Sequence, residues 1–376
     1  MHLILHDLSP EQAQQYLPAA SAEDAAPSET VALLAAAPGV KPCTGCFLCW
    51  TKTPGECVIP DRGQEFCRLL AQADKLTIIS RCYYGGFSPD VKAMIDRHIG
   101  YMLPWFHDNE GEMHHIPRYE RRLELAWHLY GDTTEAERET ARCYCAANAR
   151  NLHAVNHSVE LYGNVEPSRL STTRTQGSGM KVAFINGSPN KGKGVTAMLL
   201  RFLEERLPGR KIFQGWDEPC DAYVIAFPLY VDGIPSGFLR ELVKHEQGLP
   251  PGARVYAVVN NGFYEGGQNA VAISTARNWC ARAGLAWGQG VGIGSGEILR
   301  HIPLPVLNLF GHGSMKKFNR VLDTLAGHIL AGGGGEDICN TPNFPRAPYM
   351  LAGSATFRLE GKKNGLTKRE MERRLS

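Results

Sequence analysis

Residues 180–207 read MKVAFINGSPNKGKGVTAMLLRFLEERL. Lys181–Ile185 is a short apolar run that ends in a loop of glycine, serine and proline. The loop enters Thr196–Leu207, where Met198, Leu199, Phe202 and Leu203 recur at helical spacing. A buried strand, a small-residue loop and an amphipathic helix form the opening unit of a parallel α/β sheet. The same rhythm continues downstream. Ala222–Phe227 and Arg254–Val259 are continuous apolar runs, as expected of strands covered on both faces. Ser236–Lys244 and Asn269–Gly284 have helical character, with Ser236 as a candidate N-cap, and Leu285–Ile293 is a weaker fifth strand.

Working back toward the N-terminus, Asn164–Gly179 is polar and rich in serine and threonine, which reads as a linker. The segment before it repeats the α/β rhythm with defects. Leu3–Leu8, Lys75–Ser80, Leu123–Tyr130 and Val159–Tyr162 are strand candidates, and Thr134–Leu152 is a helix with an acidic first turn. Between Pro10 and Pro42 no period is legible. Working forward, Ser314–Leu330 is helical, Gly332–Gly335 breaks the chain, and the tail ends in a basic helix with no assigned chemistry. The expected organisation is a first domain over 1–163, a linker over 164–179, a second domain over 180–331 and a tail over 332–376. Both domains are expected to be doubly wound α/β with five-stranded parallel sheets, and the tail to be a helical extension.

The chain has 376 residues, 43% of them hydrophobic, and a net charge of +2. That length suits two cores large enough to fold without staples. No basic run or face suggests nucleic acid as a partner. No run of 18 apolar residues suggests a membrane span, and the N-terminus does not read as a signal peptide. Eleven cysteines, an odd number, then fit a reducing cytoplasm better than a disulfide scaffold.

Ligands of open α/β sheets bind at the carboxyl ends of the strands. Three loops of the second domain lie there. In Gly187–Thr196, small residues let backbone N–H groups converge on an anion, Ser188 and Thr196 add hydroxyls, Lys191 or Lys193 adds charge, and the helix start adds its dipole. It is neither a Walker A loop nor a dinucleotide fingerprint, and a generic βα turn shares its composition. Pro228–Ser236 is stiffened by two prolines and offers Tyr230 as an aromatic face or a packing residue. Asn260–Gln268 offers amides and N–H groups that suit the polar edge of a heterocycle, or a plain Asn-Gly turn.

Together, Gly187-Ser-Pro-Asn-Lys, Pro228-Leu-Tyr and Asn260-Asn-Gly resemble the NADPH-dependent FMN reductase and multimeric flavodoxin families of the flavodoxin-like fold, over about Lys181–Ile293. The resemblance implies FMN as cofactor. It implies phosphate roles for Ser188, Asn190, Lys191, Gly194, Val195 and Thr196. It implies ring contacts for Pro228, Leu229, Tyr230, Val231, Asp232, Gly233, Asn260, Asn261, Gly262, Phe263 and Tyr264. The stretch Ser188–Thr196 is a residue longer than the usual form. NAD(P)H as transient donor and a quinone, flavin or other small molecule as acceptor follow from the resemblance, with the chemistry borne by the flavin and no catalytic side chain.

In the first domain, Cys43, Cys46, Cys49 and Cys57 form a C-x2-C-x2-C-x7-C ladder. Three thiolates at that spacing can wrap corners of a 4Fe–4S cluster, with Cys57 returning after Pro54-Gly55. The open alternative is four reduced cysteines, with Phe47 and Trp50 in a surface loop. Cys43–Asp61 and Cys82–Pro89 resemble the iron–sulfur flavoprotein branch of the same family, which implies one-electron transfer between partners as the alternative function. His6-Asp7-Leu8-Ser9-Pro10 stands where a phosphate loop would be, with an acid where the phosphate would sit, so no FMN is expected in this domain. A homo-oligomer, or an intramolecular pseudo-dimer of the two domains, is expected. His114-His115 reads as a surface loop, and Cys143 and Cys145 are expected to face different sides of a helix.

Overall fold

The computed structural model describes residues 1–14, 30–36, 39–167, 180–298 and 312–375, with side chains from 315 onward in the last stretch. The linker expectation lies largely outside the described residues, from 168 to 179. Two compact units emerge, Met1–Glu166 with Met350–Ser376, and Pro167–Tyr349.

In the first unit, β1 (His2–His6), β2 (Val31–Ala35), β3 (Lys75–Arg81), β6 (Glu124–Tyr130) and β7 (Asn156–Tyr162) form one sheet in the order β2-β1-β3-β6-β7. Every pairing in it is parallel. Helices α1 (Arg62–Leu70), α2 (Pro89–Ile95) and α3 (Glu135–Leu152) make the crossovers. Thr134 and Glu137 close a reciprocal capping box at the start of α3. Cys145 is buried and Cys143 exposed on that helix, on different sides as expected. An antiparallel hairpin, β4 (Met102–Asn109) with β5 (Glu112–Pro117), is inserted after α2. His114 is buried on β5, which corrects the surface-loop expectation.

In the second unit, β8 (Lys181–Asn186), β9 (Lys211–Gln214), β10 (Ala222–Pro228), β11 (Arg254–Asn260) and β12 (Ala286–Ile293) take the order β9-β8-β10-β11-β12, again all parallel. Both units thus have flavodoxin-like doubly wound topology, with the order 2-1-3-4-5. Where five strands are expected, a sixth, β13 (Ile338–Asn340), extends the second sheet by pairing with β12. At three residues it is too short to show a period. Helices α4 (Val195–Glu204), α5 (Ser236–Lys244), α6 (Ala270–Arg282) and α7 (His312–Ala331) cover this sheet. Pro235, not Ser236, takes the N-cap position of α5.

The core of the second unit joins Val182, Phe184 and Val224 of the strands to Leu199, Leu203 and Leu322 of α4 and α7. Such fully buried side chains each stabilise the unit by about 1.5–3 kcal/mol. After β13 the chain enters α8 (Arg346–Lys363), which starts in the second unit, and from Met350 onward the chain clusters with the first. Among the described residues no helix is long and apolar enough to cross a membrane.

Candidate flavin site

The strand ends of the second sheet bring the three loops together. Gly187 must be glycine, because a Cβ there would lie 2.3 Å from the Phe238 ring. The loop that follows folds on itself: Ser188 N donates to Asn186 Oδ1 at 3.0 Å, and Asn190 N donates to Ser188 Oγ at 3.3 Å. Gly192, at φ +96, supplies the left-handed residue that turns the chain toward α4. Gly194 is the N-cap of α4, and among the described residues no side-chain hydrogen bond caps the helix. The first-turn N–H groups of α4 are therefore left for a ligand or water, and the helix dipole favours an anion there. Lys191 extends beside this turn, with its ammonium 3.1 Å from Glu241 at the surface.

The second loop leaves β10 with Leu229 N donating to Asn260 O at 2.7 Å. Tyr230 and Gly233 exchange two backbone bonds of 3.0 Å around Val231 (φ 43) and Asp232 (φ 56). Two consecutive non-glycine residues in the left-handed region cost about 1–3 kcal/mol each, strain that concentrates at ligand clamps. The first unit builds the same turn at Tyr83–Gly86, with reciprocal bonds of 2.9 and 2.8 Å around Tyr84 (φ 58) and Gly85 (φ 88).

In the third loop, Asn260 is buried and its Oδ1 accepts from the Thr196 hydroxyl at 2.8 Å, tying the first turn of α4 to the end of β11. Asn261 Nδ2 donates to Glu265 O at 3.0 Å, while Asn261 Oδ1 is buried without a hydrogen-bond partner among the described residues. Phe263 O accepts from Ser295 N at 2.6 Å, and the Tyr264 hydroxyl donates to Pro342 O at 2.9 Å and to Phe344 O. Gly266 is forced by a close approach, since a Cβ would sit 2.4 Å from Asn340 O.

This donor set matches the chemistry of a flavin mononucleotide. The uncapped helix start suits the phosphate, and the orphaned Asn261 acceptor suits a ring N–H. Ser188, Asn190, Lys191, Gly194, Val195 and Thr196 stand at the first position. Asn260, Asn261 and Gly262 stand at the second, with Pro228–Gly233 on the loop between. The Thr196 hydroxyl proton is spent on Asn260, so that residue links two loops rather than donating to an anion. Sequence reasoning missed Glu265, Arg346 and Tyr349, which hold the third loop from outside; no local pattern announces them.

The cysteine ladder lies in the first unit. Leu48–Thr51 is a single helical turn entered through Phe47 at φ 56. Trp50 is fully buried, and its Nε1 donates to Met102 O at 2.8 Å, so the pair Phe47 and Trp50 is not simply a surface loop. Phe357 of α8 packs edge-on against both rings, with centroids at 5.5 and 5.0 Å. Cys49 and Cys57 are buried and Cys46 is exposed. Burial pushes the Cys49 thiol well above its ordinary value. Arg97, itself buried, donates from Nε to Cys57 Sγ at 3.2 Å, from Nη1 to Asp61 and from Nη2 to Ile59 O at 2.8 Å. Among the described residues no group of three or more histidine, cysteine, aspartate or glutamate side chains is placed to hold a metal ion. As arranged, the four thiols do not form a ligand set.

At the carboxyl end of β1, the Asp7 carboxylate accepts from Ser80 Oγ at 3.2 Å, Arg81 N at 3.1 Å and the Tyr130 hydroxyl at 3.1 Å. An acid with three donor atoms of its own unit around it fills this corner with negative charge.

No family model matches the chain. One curated protein similar to part of it is an iron-sulfur flavoprotein of Methanocaldococcus jannaschii, 35% identical over 68 residues. The aligned stretch is 17% of this chain and spans about a third, 34%, of that protein.

Proposed function

We propose that the second unit binds FMN across the ends of its parallel strands and that the chain is an oxidoreductase, taking electrons from NAD(P)H and passing them to a small acceptor such as a quinone or a flavin. The observation that carries this reading is the junction of three loops at Asn260. Its side chain holds the start of α4 through Thr196, and its carbonyl holds the second loop through Leu229. The partial similarity to a protein named an iron-sulfur flavoprotein supports the flavin.

When bound, FMN would supply hydride and single-electron chemistry that no side chain here provides. The protein's part is to bind and orient. The uncapped first turn of α4, with Lys191 and Lys193 on its approach, takes the phosphate. Tyr230, on its strained turn, and Tyr264 wall the ring, and Asn261 Oδ1 accepts from its imide N–H. The test is titration of the purified full-length chain with FMN, followed by flavin fluorescence, and then oxidation of NADH and NADPH by the loaded protein. Saturable one-to-one binding is expected, with steady turnover on addition of a quinone. Absence of binding at micromolar FMN rejects the flavin, and binding without turnover rejects the reductase.

The name of the similar protein favours a second reading, one-electron transfer between protein partners. Iron and acid-labile sulfide in anaerobically purified protein decide between the two.

A further inference from the structure

The third loop is held by a stretch to which neither composition nor period assigns a role. After β13 the chain runs through Thr341-Pro-Asn-Phe-Pro-Arg-Ala-Pro-Tyr349 and fastens to the loop residue by residue. Thr341 Oγ1 accepts from Gly266 N at 2.9 Å, and the carbonyls of Pro342 and Phe344 accept from the Tyr264 hydroxyl. Arg346 Nη1 lies 3.0 Å from Glu265 Oε1, and the Tyr349 hydroxyl donates to Gly262 O at 2.7 Å. The rings of Tyr264, Phe344 and Tyr349 pack together with centroids 5.5–6.1 Å apart. The arm is itself tied down at its base, where Lys317 Nζ donates to Thr341 O at 2.8 Å. Burial keeps the Tyr349 phenol protonated far into the alkaline range, so it remains a donor.

These contacts converge on one amide. Arg346 and Gln268 hold the Glu265 carboxylate, and the Glu265 carbonyl holds Asn261 Nδ2. With the nitrogen end tied, the oxygen end of Asn261 has a fixed direction, and that end is the buried acceptor without a partner among the described residues. A buried acceptor left empty costs about 1–3 kcal/mol, so the arrangement is stable only by virtue of its surroundings, and a donor arriving there recovers that energy. Gly262, next along, has its carbonyl orientation set by Tyr349.

We propose that Thr341–Tyr349 is a positioning arm for the third loop. Arg346 acting through Glu265, and Tyr349 acting through Gly262, set the orientation in which Asn261 Oδ1 meets the imide N–H of a bound flavin. This rests on the reading of the loop as flavin-binding. It makes Arg346 and Tyr349 residues that tune the ring without touching the phosphate.

The test compares FMN with riboflavin, which carries the same ring and no phosphate, on the full-length chain. In Tyr349→Phe and in Arg346→Met, affinity for both flavins is expected to fall by the same factor, about tenfold. The visible bands of the bound flavin are expected to shift, while the melting temperature of the flavin-free protein stays near that of the parent. Should Tyr349→Phe fail to fold, Arg346→Met carries the test, since its ion pair is partly exposed at 28% and 15%. Parent-like affinity and spectrum in the folded variants overturn the proposal. So does a loss confined to FMN, which would place the effect at the phosphate. A parent protein that binds neither flavin sinks the flavin reading first, and the arm's role falls with it; that outcome is visible before any substitution is made.

Discussion

The carboxyl end of the first strand carries Asp7 in one unit and Gly187-Ser188 in the other, on sheets of the same strand order. The turn after the third strand of each sheet is also the same, Tyr83–Gly86 in one and Tyr230–Gly233 in the other, down to the reciprocal backbone bonds. The scaffold is therefore shared, and the difference is one of charge and of space. In the second unit, small residues open a path to the N–H groups of an uncapped helix. In the first, a carboxylate takes the Ser80 hydroxyl, the Arg81 N–H and the Tyr130 hydroxyl for itself. If the second unit's loop takes a phosphate as proposed, that corner is made or unmade by two residues while the strands behind it stay as they are.

Placing the first unit's acid in the second is the strongest way to break this contrast. In Ser188→Asp a carboxylate would face the phosphate position from a side-chain position that is already buried. Two unit charges about 4 Å apart repel by about 4 kcal/mol in partly screened surroundings, so FMN affinity is expected to fall by at least a hundredfold. Fluorescence titration reads the loss, and circular dichroism checks that the sheet is intact. An affinity within threefold of the parent (about 0.6 kcal/mol) would mean that the loop is not the phosphate site.

The reverse substitution sharpens the contrast on the side of stability. Asp7→Asn keeps the shape and removes the charge from a carboxylate that accepts three kinds of donor. Hydrogen bonds to a charged acceptor are worth more than neutral ones, and a loss of about 1–3 kcal/mol in urea unfolding at neutral pH is expected. Burial first, and the facing Asp7 charge second, hold the Tyr130 phenol protonated well above its ordinary range. A raised phenol value stabilises the fold below the ordinary tyrosine pKa, and that contribution is lost as pH rises through the folded value. In Asp7→Asn, Tyr130 is expected to ionise at lower pH than in the parent, seen in absorbance near the tyrosinate band. An unchanged phenol titration would show that Asp7 does not act on Tyr130.

Much of this was legible in the residues, and the rest was hidden for physical reasons. Central parallel strands such as Ala222–Pro228 and Arg254–Asn260 are buried along their length, so their apolar runs announce them. Edge strands do not. Val31–Ala35 sits in alanine-rich sequence, Lys211–Gln214 has four residues and Ile338–Asn340 three, too few for any period. Charge misleads in the same way. Lys92 and Asp96 form an ion pair buried at 2% and 0%, and the next residue, Arg97, is buried too, though residues of these types are almost always exposed. The three loops of the site were legible because their composition is local. The arm was not, because Arg346 and Glu265 are 81 residues apart and only the fold joins them.

The smallest effect separates charge from shape within the phosphate loop itself. Lys191 is 66% exposed and pairs with Glu241 at 3.1 Å, a surface ion pair worth at most about 1 kcal/mol to the fold. Lys191→Ala is therefore expected to melt within a degree or two of the parent. If the loop holds a phosphate, the same substitution removes a nearby cation, and FMN affinity is expected to fall about three- to tenfold at low salt, with the gap closing as ionic strength shortens the reach of the charge. Riboflavin, with no phosphate to attract, is expected to bind both proteins alike. A riboflavin affinity that falls as far as that of FMN would show Lys191 acting on the ring or on loop shape, and the assignment of charge to this corner would then rest on the helix start alone.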